Sequence, residues 1–415
     1  MRRTALFLVV PLCLPAFGQS QLSEDSYTRY ELLDPASNSF RIYYEVSAAT
    51  PGSAYYYNTL RPGSEHSVTV VTDLATGNRL SWTVVTGKQA REGGFMEADA
   101  ATEYLKVQLA RPVPANSEYR LLIDKTYKDP SSYFTEGDKV VFSRSLSIPR
   151  NSVVLPRGYE IVHCNTPSQV ILESDGRVLV SFLNTSPGPV QFRLEARKLR
   201  KAVAAPKPPA ETLKEQAGAG RDKSRARVGY VIPERAHQTR EIVYFLQQPE
   251  THSFRLYHDY TETRAGVDRY LNVVRAGSKA SNPSARNLDS GKDLKVETLK
   301  GDQITARKID IGEAVTPETE VVVIWFDPVR QGESVRLRIE ETYTDPTRYL
   351  LWGEEFVWDR AFGRVSNDVV LPEGWLLTHS SIPCTVSAED DGRIRLRFVN
   401  PRPDEIDVFI KGQRR

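Results

Sequence analysis

The chain is one module written twice, and that constrains its fold more than any other feature. Ser39-Phe40-Arg41-Ile42-Tyr43 recurs 214 positions later as Ser253-Phe254-Arg255-Leu256-Tyr257. Asn58 to Ser64 (NTLRPGS) matches Asn272 to Ser278 (NVVRAGS) at the same offset, as does Leu74-Ala75-Thr76-Gly77 with Leu288-Asp289-Ser290-Gly291. After a two-residue insertion the offset becomes 216 and holds: Thr126-Tyr127-Lys128-Asp129-Pro130 matches Thr342-Tyr343-Thr344-Asp345-Pro346, Val153 to Gly158 matches Val369 to Gly374, and Asn184 matches Asn400. A register kept over that length is a tandem duplication.

Within each copy the apolar period is two. Val335, Leu337 and Ile339 alternate with Arg336, Arg338 and Glu340; Ile394, Leu396 and Phe398 alternate with Arg393, Arg395 and Arg397. Such alternation puts apolar side chains on one face of a sheet and charges on the other. Asp175-Gly176 and Asp391-Gly392 fall between alternating runs, where glycine supplies the positive φ of a tight hairpin. Neither copy contains a long amphipathic helix. The expected fold is all-β: two tandem homologous antiparallel β-sandwich-like modules. At 415 residues, 40% hydrophobic and 26% charged, the chain has enough material for two such cores.

The expected boundaries are a signal peptide over 1–18, β modules over 19–198 and 229–415, and a linker over 199–228. Met1-Arg2-Arg3 precedes an apolar run from Ala5 to Leu14 too short to span a bilayer, and Ala16-Phe17-Gly18 supplies small residues before Gln19. The mature chain is therefore expected in the periplasm or secreted, without a transmembrane segment. Residues 197–227 hold ten Lys/Arg against three Asp/Glu and little that is apolar; Pro206-Lys207-Pro208-Pro209 and Gly218-Ala219-Gly220 suit an extended, flexible connector. The formal charge of +2 falls to zero once Arg2 and Arg3 are removed, so no whole-chain basic field favours nucleic acid.

No HExxH, CxxC, calcium loop, GxSxG or phosphate loop occurs, and no cofactor or metal site is expected. The candidate binding residues are few. Tyr55, Tyr56 and Tyr57 are rings able to stack on sugars or a protein, or to pack as ordinary strand residues. His163 and His379 occupy equivalent positions, as a pair bridging the copies or as inherited strand histidines. Arg393, Arg395 and Arg397 form a stripe for an anion, or a face paired with carboxylates. Cys164 aligns with Ser380 and Cys384 with Ser168, so two separate thiols are expected.

Pro112 to Tyr127 (PVPANSEYRLLIDKTY), with Pro328 to Tyr343 in the second copy, resembles a stretch in the N-terminal β-domain of the zinc aminopeptidases, where a proline-led segment and Gly-Glu precede an alternating strand. It is also similar to the lumenal β-domains of ribophorin-type proteins. The resemblance implies a scaffold or docking module without a catalytic domain; no catalytic residue carries over. The expected function is an exported, non-enzymatic binding or scaffold protein acting on a protein or polysaccharide of the cell envelope. The alternative is a carbohydrate-active or other hydrolytic enzyme whose carboxylates meet at the module interface.

Overall fold

A computed structural model of the protein describes residues 25–186, 188–199, 234–237, 241–402 and 404–414. The expected signal peptide and all but the first residue of the expected linker lie outside them. The first copy runs β1 (Ser26–Leu32), β2 (Ser39–Ala48), β3 (Tyr55–Leu60), β4 (Glu65–Asp73), β5 (Trp82–Thr86), α1 (Gly87–Glu92), β6 (Glu103–Gln108), β7 (Tyr119–Lys128), β8 (Tyr133–Glu136), β9 (Lys139–Leu146), β10 (Arg150–Val154), β11 (Tyr159–Cys164), β12 (Gln169–Leu172), β13 (Val178–Leu183) and β14 (Val190–Lys198). The second repeats it element for element: β15 (Glu241–Leu246), β16 (Ser253–Glu262), β17 (Arg269–Val273), β18 (Lys279–Asn287), β19 (Lys295–Lys300), α2 (Gly301–Ala306), β20 (Glu320–Trp325), β21 (Val335–Thr344), β22 (Tyr349–Trp352), β23 (Glu355–Phe362), β24 (Ser366–Val370), β25 (Trp375–Ser380), β26 (Thr385–Ala388), β27 (Ile394–Val399) and β28 (Ile406–Arg414). The chain is all-β in two tandem copies, as the duplication predicts.

Each copy is built on a seven-stranded sheet, β12-β13-β10-β1-β2-β7-β4 in the first and β26-β27-β24-β15-β16-β21-β18 in the second. One face of this sheet carries two smaller sheets side by side. A four-stranded sheet packs Phe142, Phe192 and Leu194 onto Phe40 and Ile42, and a three-stranded sheet packs Leu105 and Val107 onto Leu121 and Ile123. In the second copy the two cores merge, with Trp358, Phe254, Val322 and Ile324 in one cluster. Pairing is antiparallel except for β1 with β10 and β15 with β24, which run parallel. A parallel partner cannot be reached by a hairpin, and here the chain visits both smaller sheets before returning.

The shared Asp-Pro element is a structural corner. Asp129 accepts from the backbone N–H groups of Ser131 and Ser132 at 3.1 and 3.2 Å, and pairs with Arg144 at 3.2 Å. The Tyr133 hydroxyl donates to the Leu33 carbonyl at 2.9 Å, tying the corner to the end of β1, and Tyr349 does the same to Gln247.

The copies meet through matching surfaces, in the manner of a two-fold dimer. Ser334 Oγ donates to the Leu74 carbonyl at 2.8 Å; at the matching position of the first copy the Glu118 backbone N–H donates to the Leu288 carbonyl at 3.1 Å. The equivalent turns touch the opposite copy closely. Gly77 and Gly291 have φ of 71° and 72°, and a Cβ on them would lie 3.1 Å from the Gly332 carbonyl oxygen and 3.2 Å from Pro114 Cβ respectively. Only glycine meets both demands.

Buried charge crosses the same interface reciprocally. Arg120 forms a bidentate pair with Asp289 at 2.8 and 2.9 Å and reaches Ser334 Oγ at 3.3 Å. Its equivalent, Arg336, sits 3.0 Å from the Glu118 carboxylate and 3.5 Å from Asp25. Burial pushes the Glu118 carboxyl above its ordinary range. Burial acts the same way on Asp25, but Arg150 and Arg336 outweigh it and hold that carboxyl low.

Candidate functional site

The outward face of the second copy's large sheet forms a groove of about 1150 Å³. Pairing across the sheet dictates its floor. Tyr257 lies beside Val243, Asp368 and Arg397 in one row, and Arg255 beside Phe245, Val370 and Arg395 in the next. Val243, Phe245, Tyr257 and Val370 make a small buried apolar island. Guanidinium groups pave it: Arg255 and Arg393 lie 5.3 and 5.8 Å above the Phe245 ring, and Arg338 lies 4.1 Å above Tyr257.

The arginine stripe read from the sequence is held by carboxylates. Arg395 pairs with Glu389 at 2.6 Å and Asp368 at 2.7 Å, Arg397 with Asp368 at 3.0 Å, and Arg393 with Asp391 at 2.7 Å. The bond to Asp368 raises the Arg397 pKa, and the bond from Arg395 holds Glu389 below the usual carboxylate range. Arg338 is fixed to Asp259 at 2.8 and 3.0 Å. Arg255 is exposed and has no carboxylate partner among the described residues. Burial, with Asp368 and Asp259 nearby, pushes the Glu241 carboxyl up to about 7. Histidine and cysteine are absent from the described residues lining the groove, which offers oriented N–H donors and carboxylate acceptors.

Arg255, Glu241 and Asp368 are part of this site and were not singled out by sequence reasoning. The signal lay in the duplication: where the first copy has Tyr27, Ser152 and Ser181, the second has Glu241, Asp368 and Arg397. Three neutral positions turn charged together, and they lie beside one another only once the strands are paired.

The other sequence candidates lie elsewhere. Tyr55, Tyr56 and Tyr57 are on β3 of the first copy's three-stranded sheet. The Lys106 ammonium sits 3.9 Å above the Tyr55 ring, Tyr56 packs against the core, and Tyr57 stacks on Phe95 at 5.2 Å. His163 is on β11 opposite Glu195, while His379 is on β25 with its ring edge-on to Phe409 at 5.9 Å, so each serves its own copy. Cys164 and Cys384 are both free thiols. Cys164 Sγ lies 3.6 Å from Ser168 Oγ and Cys384 Sγ 3.8 Å from Ser380 Oγ, the same contact with the atoms exchanged.

A second cleft of about 530 Å³ lies between the copies, lined by Arg120, Arg150, Arg336, Arg364, Asp25 and His237 among others. Arg336 of the second copy sits 3.5 Å from Asp25 and 3.0 Å from Glu118 of the first. The interface carboxylates therefore join the copies together. Among the described residues no three His, Cys, Asp or Glu side chains converge as a metal would require, and no helix is long and apolar enough to cross a membrane.

No protein-family model and no curated protein matches the chain. Among solved structures it is similar to an M1 zinc metallopeptidase from Deinococcus radiodurans, at 13% identity and a TM-score of 0.30 over 43% of each chain. A putative protease from Parabacteroides distasonis matches at 9% identity and a TM-score of 0.25, over 94% of this chain and 93% of that one. The collagen adhesin of S. aureus matches at 8% identity and a TM-score of 0.16, over 81% of this chain and 84% of that one. The chain spans 43% of the length of the Deinococcus metallopeptidase. The weak resemblance to zinc aminopeptidases read from the sequence thus recurs in the structure, and it is too slight to speak to activity.

Proposed function

We propose that this is an exported, non-catalytic binding protein of the cell envelope, whose recognition surface is the guanidinium-paved groove of the second copy. The observation that carries the reading is the contrast between equivalent faces. In the first copy Arg29 bridges Glu31 and Glu173 across the sheet at 2.9 and 2.8 Å. In the second copy Val243 stands in place of Arg29, and Arg395 instead pairs with Glu389 and Asp368 at 2.6 and 2.7 Å. The Arg255 guanidinium is exposed without a carboxylate partner among the described residues. Export follows from the charged start, apolar run and small-residue site, and the mature protein is expected to begin near Gln19 on N-terminal sequencing.

Co-sedimentation of the purified mature protein with an envelope fraction of its source cells tests the reading. The double variant Arg255→Glu, Arg393→Glu is expected to lower the bound fraction at least tenfold, and binding should weaken as salt rises. Arg330→Glu, on a side chain 83% exposed and outside the groove lining, is the control. Equal sedimentation of the double variant and the parent would remove the groove from the function.

A further inference from the structure

We propose that the protein forms a symmetric dimer through an open sheet edge of its first copy, β5 of one molecule pairing antiparallel with β5 of another. The inference stands apart from the groove and from the binding reading above.

Backbone geometry defines the free edge. β5 ends its three-stranded sheet and is bonded on one side to β6, with Trp82 opposite Val107 and Val84 opposite Leu105. Just before the strand, the Gln108 N–H donates to the Ser81 carbonyl at 2.9 Å. Bonded pairs alternate in an antiparallel ladder, so Thr83 and Val85 also turn their peptide groups towards β6. Trp82 and Val84 turn theirs outward, where the sheet has no further strand. Thr86 is oriented in the same way, and there the Gln89 side chain closes the edge by accepting from its N–H at 2.9 Å. The N–H and C=O groups of Trp82 and Val84 are left as a template for pairing. The adjoining edge strand β4 is closed over its last residues by its own turn: Leu80 N–H donates to the Val71 carbonyl and Asp73 N–H to that of Asn78, both at 2.8 Å.

These groups complement themselves in one register. A two-fold axis at Thr83 sets Trp82 of each molecule opposite Val84 of the other, and each such pair exchanges two hydrogen bonds. Every free group is then used. An axis at Val84 would instead call on the Thr86 N–H that Gln89 already holds. Side chains suit the same register. Trp82 and Val84 are 36% and 42% exposed, on the sheet face where their cross-strand neighbours Val107 and Leu105 are fully buried. An aromatic ring beside a β-branched side chain is a favourable cross-strand pair, as is threonine beside threonine on the axis. β5 has no charged residue, so a charged segment of another protein gains nothing there; what specifies a partner is the match of the edge to itself.

The second copy carries the guard that β5 lacks. Where the first copy has Ser81, Thr83 and Gly93, the second has Lys295, Glu297 and Arg307. Glu297, on the equivalent edge strand β19, pairs with Lys295 at 2.8 Å and with Arg307 at 2.6 Å. The same axis would press this charged cluster, glutamate on glutamate, against its own image. Charges on edge strands are how native sheets prevent such pairing. Trp82 and Val84 make a small interface, so the dimer is concentration-dependent.

Sedimentation equilibrium of the full mature protein over a range of concentrations tests this, and the parent should show a monomer–dimer equilibrium. Thr83→Glu and Thr83→Lys, on an exposed side chain, should each raise the dissociation constant at least tenfold, because the axis sets each new charge against itself. An equimolar mixture of the two should dimerise at least as well as the parent, a rescue that misfolded variants could not give. Oxidised Thr83→Cys should cross-link between molecules, since facing Cα atoms in such a pair lie about 4.5 Å apart. The parent and Thr298→Cys, on an exposed position of β19, should not. A parent that stays monomeric at every concentration, dimers that survive both charges, variants that do not recover on mixing, or Thr83→Cys no more cross-linked than Thr298→Cys would overturn the inference.

Discussion

Replacing Lys125 with methionine is expected to stabilise the protein at neutral pH, by about 2–4 kcal/mol. Lys125 is only 5% exposed, on the core-facing side of β7. Its ammonium donates to Asn58 Oδ1 at 2.5 Å and the Tyr127 hydroxyl at 3.2 Å, with no carboxylate among these partners. Burial first, and the Arg144 guanidinium second, lower its pKa to about 7 from an ordinary 10.5. The unfolded chain therefore binds the proton more tightly than the folded one. Stability should rise with pH between about 7 and 10.5, with the full penalty present below the folded pKa. A shift of that size corresponds to at most about 5 kcal/mol, less the ~1–3 kcal/mol cost of leaving the Asn58 carbonyl without its donor.

Chemical denaturation of parent and Lys125→Met at pH 6, 8 and 10 measures this. The stability gap should be widest at pH 6 and close by pH 10. A parent whose stability does not climb over that range, with a variant less stable at pH 6, would show the ammonium is well accommodated. The second copy uses the same socket with the opposite charge. Glu341 stands where Lys125 does, Asn272 offers its Nδ2 to the carboxylate at 2.9 and 2.8 Å, and burial raises the Glu341 pKa. Glu341 binds its proton more tightly when folded, so its contribution is favourable at acid pH and is lost as pH rises through the raised value.

Arg336→Met is expected to destabilise the protein by about 3–5 kcal/mol and loosen the contact between the copies. Arg336 is 8% exposed and Glu118 only 1%. Removing the guanidinium leaves the Glu118 carboxylate buried with its nearest cation gone, which costs far more than the pair contributes against an apolar replacement. The double variant Glu118→Met, Arg336→Met should accordingly recover most of the loss. Denaturation of both single variants and the double closes the cycle. Additive losses, or a loss below about 1 kcal/mol for Arg336→Met, would mean that the pair does not join the copies.

The fold was legible because both of its signals are local. Alternation along Ile394–Val399 put Leu396 and Phe398 in the core, where both are fully buried, and the constant offset between the copies foretold matching elements from β1/β15 through β14/β28. The stripe of Arg393, Arg395 and Arg397 was visible for the same reason. What held it was not: Asp368 is 27 and 29 residues from Arg395 and Arg397, and it meets them only because β24 pairs with β27. Arg255 was unremarkable until Phe245 came beneath it from the neighbouring strand.

The amino-acid sequence alone determines the all-β class and the two-copy plan, since side-chain period and repeat register are properties of neighbours along the chain. Tertiary structure decides the parallel β1–β10 pairing, the reciprocal charge interface, and which carboxylates hold the arginine stripe. Arg120 and Asp289 are 169 residues apart, and equivalent arginines find unlike partners because Glu118 has a serine as its counterpart and Asp289 an alanine. Which charge ends beside which is set by chain path and strand order, and no local pattern carries that information.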